Sequence, residues 1–428
     1  MAKILMANIE RPGYGGTLDE YRQAGGYKTL EQFLCQKKPG DMIEEVKKSG
    51  LRGRGGAGFP TGLKWSFLPK GVDKPVYLVC NADESEPGTF KDRVIMEKDP
   101  HMLLEGIVLS AFAINSHVCY IYIRGEFAHV AKALEQALAE ARAANLVGKN
   151  ILGRGFDVDI WVHRGAGAYV CGEETGLLES LEGKRGWPRL KPPFPAIEGA
   201  FKCPTIVNNV ETLANVPWIL ENGGDAYAGI GVEKGAGTKI YCVSGHVKKP
   251  GLYEFPLGMT LRELIFDHCG GMRSDKALKA VIPGGSSMPV LRADEIDVQM
   301  DFDSLQKIGS GLGSAGVIVM DESVCMVNAA LNLSKFYAHE SCGQCTPCRE
   351  GMPWLRDMFD RIEHGRGKEG DIETILDVTD NIEGKTICPL GEAGAWPARA
   401  FTKKFREEFE QHIREQRCPM RPASGATD

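Results

Sequence analysis

Four cysteines carry the strongest chemical signal in this chain. The run Ser341-Cys342-Gly343-Gln344-Cys345-Thr346-Pro347-Cys348-Arg349 separates three thiols by two residues each, and Cys388-Pro389 follows far downstream. Two-residue gaps let consecutive thiolates wrap one face of a compact cluster and reach three of its irons, while a distant fourth cysteine closes the last. The spacing predicts a 4Fe-4S cubane on Cys342, Cys345, Cys348 and Cys388, hence a protein that moves electrons. A structural zinc ion is the rival reading, but four-cysteine zinc sites usually pair two separate Cys-x-x-Cys knuckles.

A second signal lies near the start. In Leu51-Arg52-Gly53-Arg54-Gly55-Gly56-Ala57-Gly58-Phe59-Pro60-Thr61-Gly62, glycines beside two arginines let backbone N-H groups approach an anion, and phosphate is the natural guest. The preceding Met42 to Ser49 reads as helix, so the strand-turn-helix context of a dinucleotide fingerprint is missing, as is a phosphate-loop lysine-serine pair. Lys64, Trp65 and Phe67 add a cation and flat rings suited to a nucleotide. Two further loops follow apolar runs. Asn81-Ala82-Asp83-Glu84-Ser85-Glu86 offers amide and carboxylate groups for sugar hydroxyls and ring edges. Arg164 to Tyr169 continues into Val170-Cys171-Gly172-Glu173-Glu174, where the glutamates could equally be caps at a helix start.

Regular elements must hold these groups in place. Val76 to Cys80, Val118 to Ile123 and Val158 to Val162 read as core strands, with helices at His101 to Ala113 and Ala128 to Ala144 between them. That is an α/β domain whose polar loops leave the carboxyl ends of its strands, where open α/β sheets bind ligands. Lys239 to Val319 alternates short strands, Pro-Gly turns and one helix, Thr260 to Cys269, as a small α+β module would. After Glu322 the pattern is helical, in keeping with an all-α bundle. The 428 residues suffice for two to four units. A net charge of -6, with 25% of residues charged in mixed sign, gives no field to attract nucleic acid or anionic lipid. The 13 cysteines are clustered locally rather than spread through a small stapled domain, which points to a reducing compartment. No signal peptide core is present, and the uncharged stretch from Gly106 to Ile123 reads as helix, turn and buried strand rather than a membrane span.

Taken together, Gly53 to Pro60, Cys80 to Gly88, Gly167 to Glu174, Val207-Asn208-Asn209-Val210-Glu211-Thr212 and the cysteine set resemble the NADH- and FMN-binding flavoprotein subunits of bacterial respiratory complex I. The resemblance implies a Rossmann-like FMN-binding domain at 51–235 behind an N-terminal strap at 1–50, a ubiquitin-like β-grasp module at 236–322, and a four-helix bundle carrying the 4Fe-4S cluster at 323–428. It places the FMN phosphate near Gly53, Gly55, Gly56 and Lys64, and the ring system near Asn81, Asp83, Glu84, Tyr169, Gly172 and Glu173. Val207, Asn208, Asn209 and Thr212 would close the pocket. NADH would lie over the flavin, its adenine stacked by Phe59, Phe67 and Phe194, with Lys191 on the nucleotide and Glu86 and Glu174 as catalytic carboxylates near ribose and nicotinamide. Implied partners are a small thioredoxin-like 2Fe-2S protein and other peripheral-arm proteins, with a cytoplasmic location at the inner membrane and no direct insertion.

Two other readings compete. The diaphorase component of an NAD-linked hydrogenase or formate dehydrogenase uses the same motifs, but those relatives often carry an N-terminal thioredoxin-like extension or further ferredoxin-type cysteines, for which this chain is expected to have no room. A zinc-stabilised, non-catalytic binding module is the alternative from another class; it predicts a colourless protein.

Overall fold

A computed structural model describes residues 3–36, 38–71 and 73–421. The chain divides into two compact units: 1–85, 89–241 and 252–258 form the first, and 86–88, 242–251 and 259–428 the second.

The first unit is built on four parallel strands, β1 (Tyr77–Ala82), β2 (Val118–Ile123), β3 (Asp159–Arg164) and β4 (Thr205–Asn209), in the spatial order β3-β2-β1-β4. The three expected strands form within one or two residues of their expected bounds. β4 is legible in sequence only as part of a motif, because Thr205-Ile206-Val207-Asn208-Asn209 has just two aliphatic residues. Beside β1, the order reverses: the chain steps outward through β2 and β3, then returns to the other side of β1. Asn81 on β1 is aligned with Asn209 on β4 at this switch point.

Helix Pro100–Ala113 is buried on every face except at Phe112, which explains its uniform hydrophobicity. It ends at Asn115, whose φ of 55° turns the chain into β2, so the helix-turn-strand reading holds. Among the described residues, no helix is long and apolar enough to cross a membrane. Gly106 lets the helix touch the segment after β4, since a Cβ there would lie 2.1 Å from the Leu213 carbonyl oxygen.

The described part of the N-terminal segment contains helices but no strand, so buried acidic side chains satisfy its donors. Glu105 accepts from the Tyr21 hydroxyl at 2.6 Å, the Tyr27 N-H at 2.9 Å and the Leu30 N-H at 3.1 Å. Asp99 accepts from Asn8 Nδ2 and the Tyr14 hydroxyl. Glu254 receives the N-H groups of Ile4, Leu5 and Met6.

In the second unit, strand Leu278–Ile282 pairs antiparallel with Leu291–Arg292 and with Gly316–Asp321, and the latter runs parallel to residues 242–245. The helix expected from Thr260 is one α-turn, Leu261–Glu263, continued by a π-turn, Leu264–His268. Four longer helices follow. Met326–Glu340 and Asp371–Ile382 each pack against both Thr346–Glu363 and Leu390–Lys404, and Arg406–Glu415 comes last.

Glu105→Ala would leave three donors without their acceptor in a closed interior. The expected loss is about 3 kcal/mol, read from the urea midpoint, with faster proteolysis of the first forty or so residues. An unchanged midpoint would show that the strap is held by other means.

Candidate functional site

The carboxyl edge of the four-stranded sheet collects most of the residues singled out by motif. The glycine loop forms a narrow excursion, pinned where Arg52 bridges Pro60 and where the Gly53 N-H donates to the Phe59 carbonyl at 2.8 Å. The Arg54 N-H donates to the Thr212 hydroxyl at 2.8 Å, and its guanidinium turns inward to the Tyr227 hydroxyl and the carbonyls of Arg52, Ala236 and Thr238. Arg54 is therefore the anchor of the loop rather than a hand held out to an anion. Gly55 presses on Asn209 so closely that a Cβ would meet the Asn209 Cβ at 2.9 Å, whereas Gly56, at φ +141°, faces open space. Among the described residues, the amides of Gly55, Gly56 and Ala57 have no acceptor. A flat backbone surface with unspent N-H groups fits a phosphate.

Beneath the loop lies a buried ionic cluster. Glu211, wholly buried, accepts from Lys239 Nζ at 2.6 Å, Lys91 Nζ at 2.9 Å and the Ile240 N-H at 3.0 Å. Burial acts to raise its carboxyl, but Lys239, Lys91 and Arg54 together outweigh it and hold it below the ordinary range. Lys91 also donates to Asp92 and to Asn209 Oδ1, while Asn209 Nδ2 donates to Asp92 at 2.7 Å. Both ends of the Asn209 amide are thus fixed. Glu84 belongs to this interior too. Its carboxylate accepts the N-H groups of Asp92 and Arg93 at a helix start, and burial followed by the Asp92 charge pushes it up to about 7.

Above this floor the other predicted side chains meet. Asn81 Nδ2 donates to the Gly172 carbonyl at 2.8 Å, and Asn81 Oδ1 accepts from the Asp83 N-H. Asp83 accepts from Ser85. Asn208 accepts from the buried Trp65 indole at 2.8 Å. Lys64 Nζ donates to the Val207 carbonyl and to Glu174, each at 2.9 Å, and Lys191 bridges Glu173 and Glu174, also at 2.9 Å. Glu173 is at once the N-cap of helix Glu174–Leu181, accepting from Thr175 and Gly176. Burial works to raise the Glu174 carboxyl, and the two lysines outweigh it, so it stays ionised at neutral pH. Tyr169 sits half-buried in the 3₁₀ turn Tyr169–Gly172. Phe59 and Phe67 are half-exposed, with ring centroids 6.0 Å apart, and Phe194 is 57% exposed on its Pro-rich loop.

Glu86 falls in the second unit, where its Oε1 accepts the Ser287 N-H at 2.7 Å and the Ser286 hydroxyl at 3.2 Å. Motifs alone do not single out Lys91, Asp92, Glu211 and Lys239 as parts of the site's floor. The available signal is charge inside apolar context, as in Thr238-Lys239-Ile240-Tyr241-Cys242.

The cysteine set lies in the second unit. Cys342 and Cys345 sit on the loop before helix Thr346–Glu363, Cys348 is in its first turn, and Cys388 precedes helix Leu390–Lys404. Arg349 braces the loop through the Gly343 carbonyl. Burial pushes the Cys348 thiol up to about 11, with Cys345, Cys342 and Glu392 of the Cys388 turn adding to it, so the donors are crowded around one place. Among the described residues no cysteine is joined in a disulfide. Four such sulfurs suit an iron-sulfur cluster.

Family profiles match in the same places. Residues 46–218 match a Nuo51 FMN-binding domain, 328–412 the iron-sulfur binding region of NADH-ubiquinone oxidoreductase-F, and 239–319 an SLBB domain. The second F-type subunit of the NADH-quinone oxidoreductase of Rhizobium meliloti (strain 1021) is 54% identical over 417 residues, 97% of this chain and 99% of that protein. The chain belongs to the F-type subunits of NADH-quinone oxidoreductase. The corresponding protein of Rickettsia typhi is 57% identical over 374 residues, 87% of this chain and 89% of its own. A solved NAD+-reducing [NiFe]-hydrogenase in its H2-reduced state superposes with a TM-score of 0.84 at 34% identity, covering 98% of this chain and 67% of that one. This member of the family is a mixed α/β protein with an FMN-binding domain and a 4Fe-4S region.

The stability contributed by Glu211 is fully present above its ordinary value of 4.5 and is lost as pH falls from there through the lower folded value. Lys239→Met should cost about 3 kcal/mol at pH 7, because one partner of a buried pair is removed and the other stays charged. Denaturant melts at pH 7 and pH 4 test this: the variant's deficit should shrink at the lower pH, and a pH-independent deficit would contradict the assignment.

Proposed function

We propose that this chain is the electron-input component of a respiratory NADH:quinone oxidoreductase of the complex I type. The observation that carries the reading is the pairing, in one chain of this family, of an FMN-binding domain with four thiols at 4Fe-4S spacing. When bound, FMN supplies the conversion of the hydride of NADH into single electrons that the 4Fe-4S cluster takes up on the way to quinone. The protein's own part is to bind, orient and keep out water. The unspent amides of Gly55 and Gly56, in a loop closed at Gly53, together with Lys64, would hold the phosphate. Asn81, Asp83, Glu84, Tyr169, Gly172 and Glu173 would line the ring system, with Val207, Asn208, Asn209 and Thr212 closing the pocket.

For NADH, the exposed rings of Phe59, Phe67 and Phe194 supply flat surfaces for adenine, and Lys191 supplies a cation. Glu174 would accept from ribose, and Glu86 is assigned to the nucleotide on the strength of the acidic-loop motif. Cys342, Cys345, Cys348 and Cys388 would ligate the cluster. In fold terms, we read a strap at 1–50, a Rossmann-like domain at 51–235, a ubiquitin-like β-grasp module at 236–322 and a four-helix bundle at 323–428. The strand order around β1, the mixed sheet and the four packed helices support that division. A thioredoxin-like 2Fe-2S protein and other peripheral-arm proteins are the proposed partners, which would bring the chain to the cytoplasmic face of the inner membrane without insertion. The diaphorase reading is weaker, since identity is 34% to the hydrogenase chain and 52–57% to several NADH-quinone oxidoreductase proteins.

Purified protein loaded with FMN and iron-sulfide should be yellow-brown and bleach on adding NADH; a colourless or NADH-inert protein overturns the reading. Native pull-down separates complex I from hydrogenase by the partners recovered. Glu174→Ala should raise activity with NADPH relative to NADH several-fold, since it removes a carboxylate that opposes the extra phosphate and frees two lysines that attract it. An unchanged ratio sinks that role. Cys345→Ala should abolish the cluster absorbance while flavin remains bound, and a full cluster in that variant contradicts the ligand set.

A further inference from the structure

The second unit contains another convergence of metal-binding side chains. Cys325, Glu363, His412 and Cys418 are all buried, and one donor atom from each lies within 4.8 Å of every other. They come from four places: the N-cap of helix Met326–Glu340, the end of Thr346–Glu363, the last turns of Arg406–Glu415, and the segment after it. We propose that these four residues form a zinc site, distinct from the Cys342, Cys345, Cys348 and Cys388 set.

The separations decide between a cation and a plain hydrogen-bond network. Cys325 Sγ is 3.3 Å from His412 Nε2 and 3.5 Å from Glu363 Oε2, and His412 Nε2 is 3.4 Å from Glu363 Oε2. A charge-assisted N-H to carboxylate bond closes to about 2.8 Å. A tetrahedral zinc with bonds of about 2.3 Å to sulfur and about 2.0–2.1 Å to nitrogen and oxygen has edges of about 3.4–3.6 Å. All three separations match those edges or fall just short of them, and the imidazole-carboxylate one is too long for a strong ion pair.

The surrounding bonds prepare the same donors. His412 Nδ1 donates to the Glu408 carbonyl at 2.7 Å, which leaves the Nε2 lone pair for a metal. Glu363 Oε1 is occupied by Arg421 at 2.9 Å and Asn328 at 3.2 Å, so Oε2 is the ligating oxygen. The Asn328 N-H points to Cys325 Sγ at 3.4 Å, as backbone amides do toward a thiolate ligand. Two thiolates, one imidazole and one carboxylate make a closed, soft-to-borderline set that suits zinc, with no open position for a substrate. A pocket of about 420 Å³ lined by Cys325, Glu363, Cys418 and Arg421 gives an entry path. The site would act as a structural clasp, tying the C-terminal segment to the helices that carry the cluster.

Elemental analysis of the full chain, produced with zinc in the medium, should find one zinc per chain beside the iron of the cluster. Zinc-edge X-ray absorption should show two sulfur neighbours at about 2.3 Å and two lighter ones at about 2.0 Å. An iron-replete protein without zinc overturns the proposal, as does an all-sulfur shell, which would put zinc in the Cys342 set. Cys418→Ser should lower zinc occupancy at least tenfold while flavin and iron content persist, and full zinc retention in that variant counts against the site. Should Cys418→Ser not fold, the wild-type absorption spectrum decides alone.

Discussion

Much of the first unit depends on keeping the Glu211 carboxylate ionised where no water reaches it. Removing such a group from water costs several kcal/mol, and one lysine would repay that only in part. Here each oxygen has its own donors, with Lys239 and Lys91 on one and the Ile240 N-H on the other. The lysines in turn reach Asp92 and Asn209, so the charges compensate one another as a set. The consequence is geometric. Asn209 cannot rotate, Gly55 rests against it, and Thr212, one residue beyond Glu211, holds the Arg54 amide. The glycine loop is therefore located by buried electrostatics rather than by its own sequence, which has little intrinsic preference for any one shape.

The rim of the same site obeys a different balance. Lys64, Glu174 and Lys191 retain 23–28% of their side-chain exposure, and partly exposed ion pairs contribute only about 0–1 kcal/mol each. An incoming nucleotide can exchange these pairs for its own phosphate and hydroxyl contacts at small cost. A rigid floor and an exchangeable rim is the division expected of a site that must fix one ligand and admit another repeatedly.

Sequence patterns reveal whatever is local. β1, β2 and β3 are visible because each is a short apolar run ending in a polar loop, and helix Pro100–Ala113 because thirteen of its fourteen residues are buried. Glu173 is recognisable as a possible cap and is one, yet it also reaches Lys191 eighteen residues away. What stays hidden depends on partners distant in sequence. Nothing in Gly53-Arg54-Gly55 says that the arginine turns inward, because the acceptors that draw it, Tyr227 and the Ala236 carbonyl, are contributed from the far end of the domain. Lys91 and Lys239 look like ordinary surface lysines until the fold places both on Glu211.

The two cysteine groups show the same limit within one unit. Cys342, Cys345 and Cys348 declare themselves because a single turn of chain presents all three, whereas Cys325, Glu363, His412 and Cys418 each sit alone in sequence and are gathered only by helix packing. Their joint effect falls on one helix. Thr346–Glu363 carries Cys348 in its first turn and Glu363 at its last residue, about 22 Å apart at 1.5 Å per residue. A helix held at one end can still pivot about it. One held at both ends keeps its tilt and register, so on the zinc reading the distant clasp fixes where Cys348 presents its sulfur. Donors positioned by their supporting residues hold a cluster in a single geometry, and a fixed geometry is what repeated electron transfer through it requires.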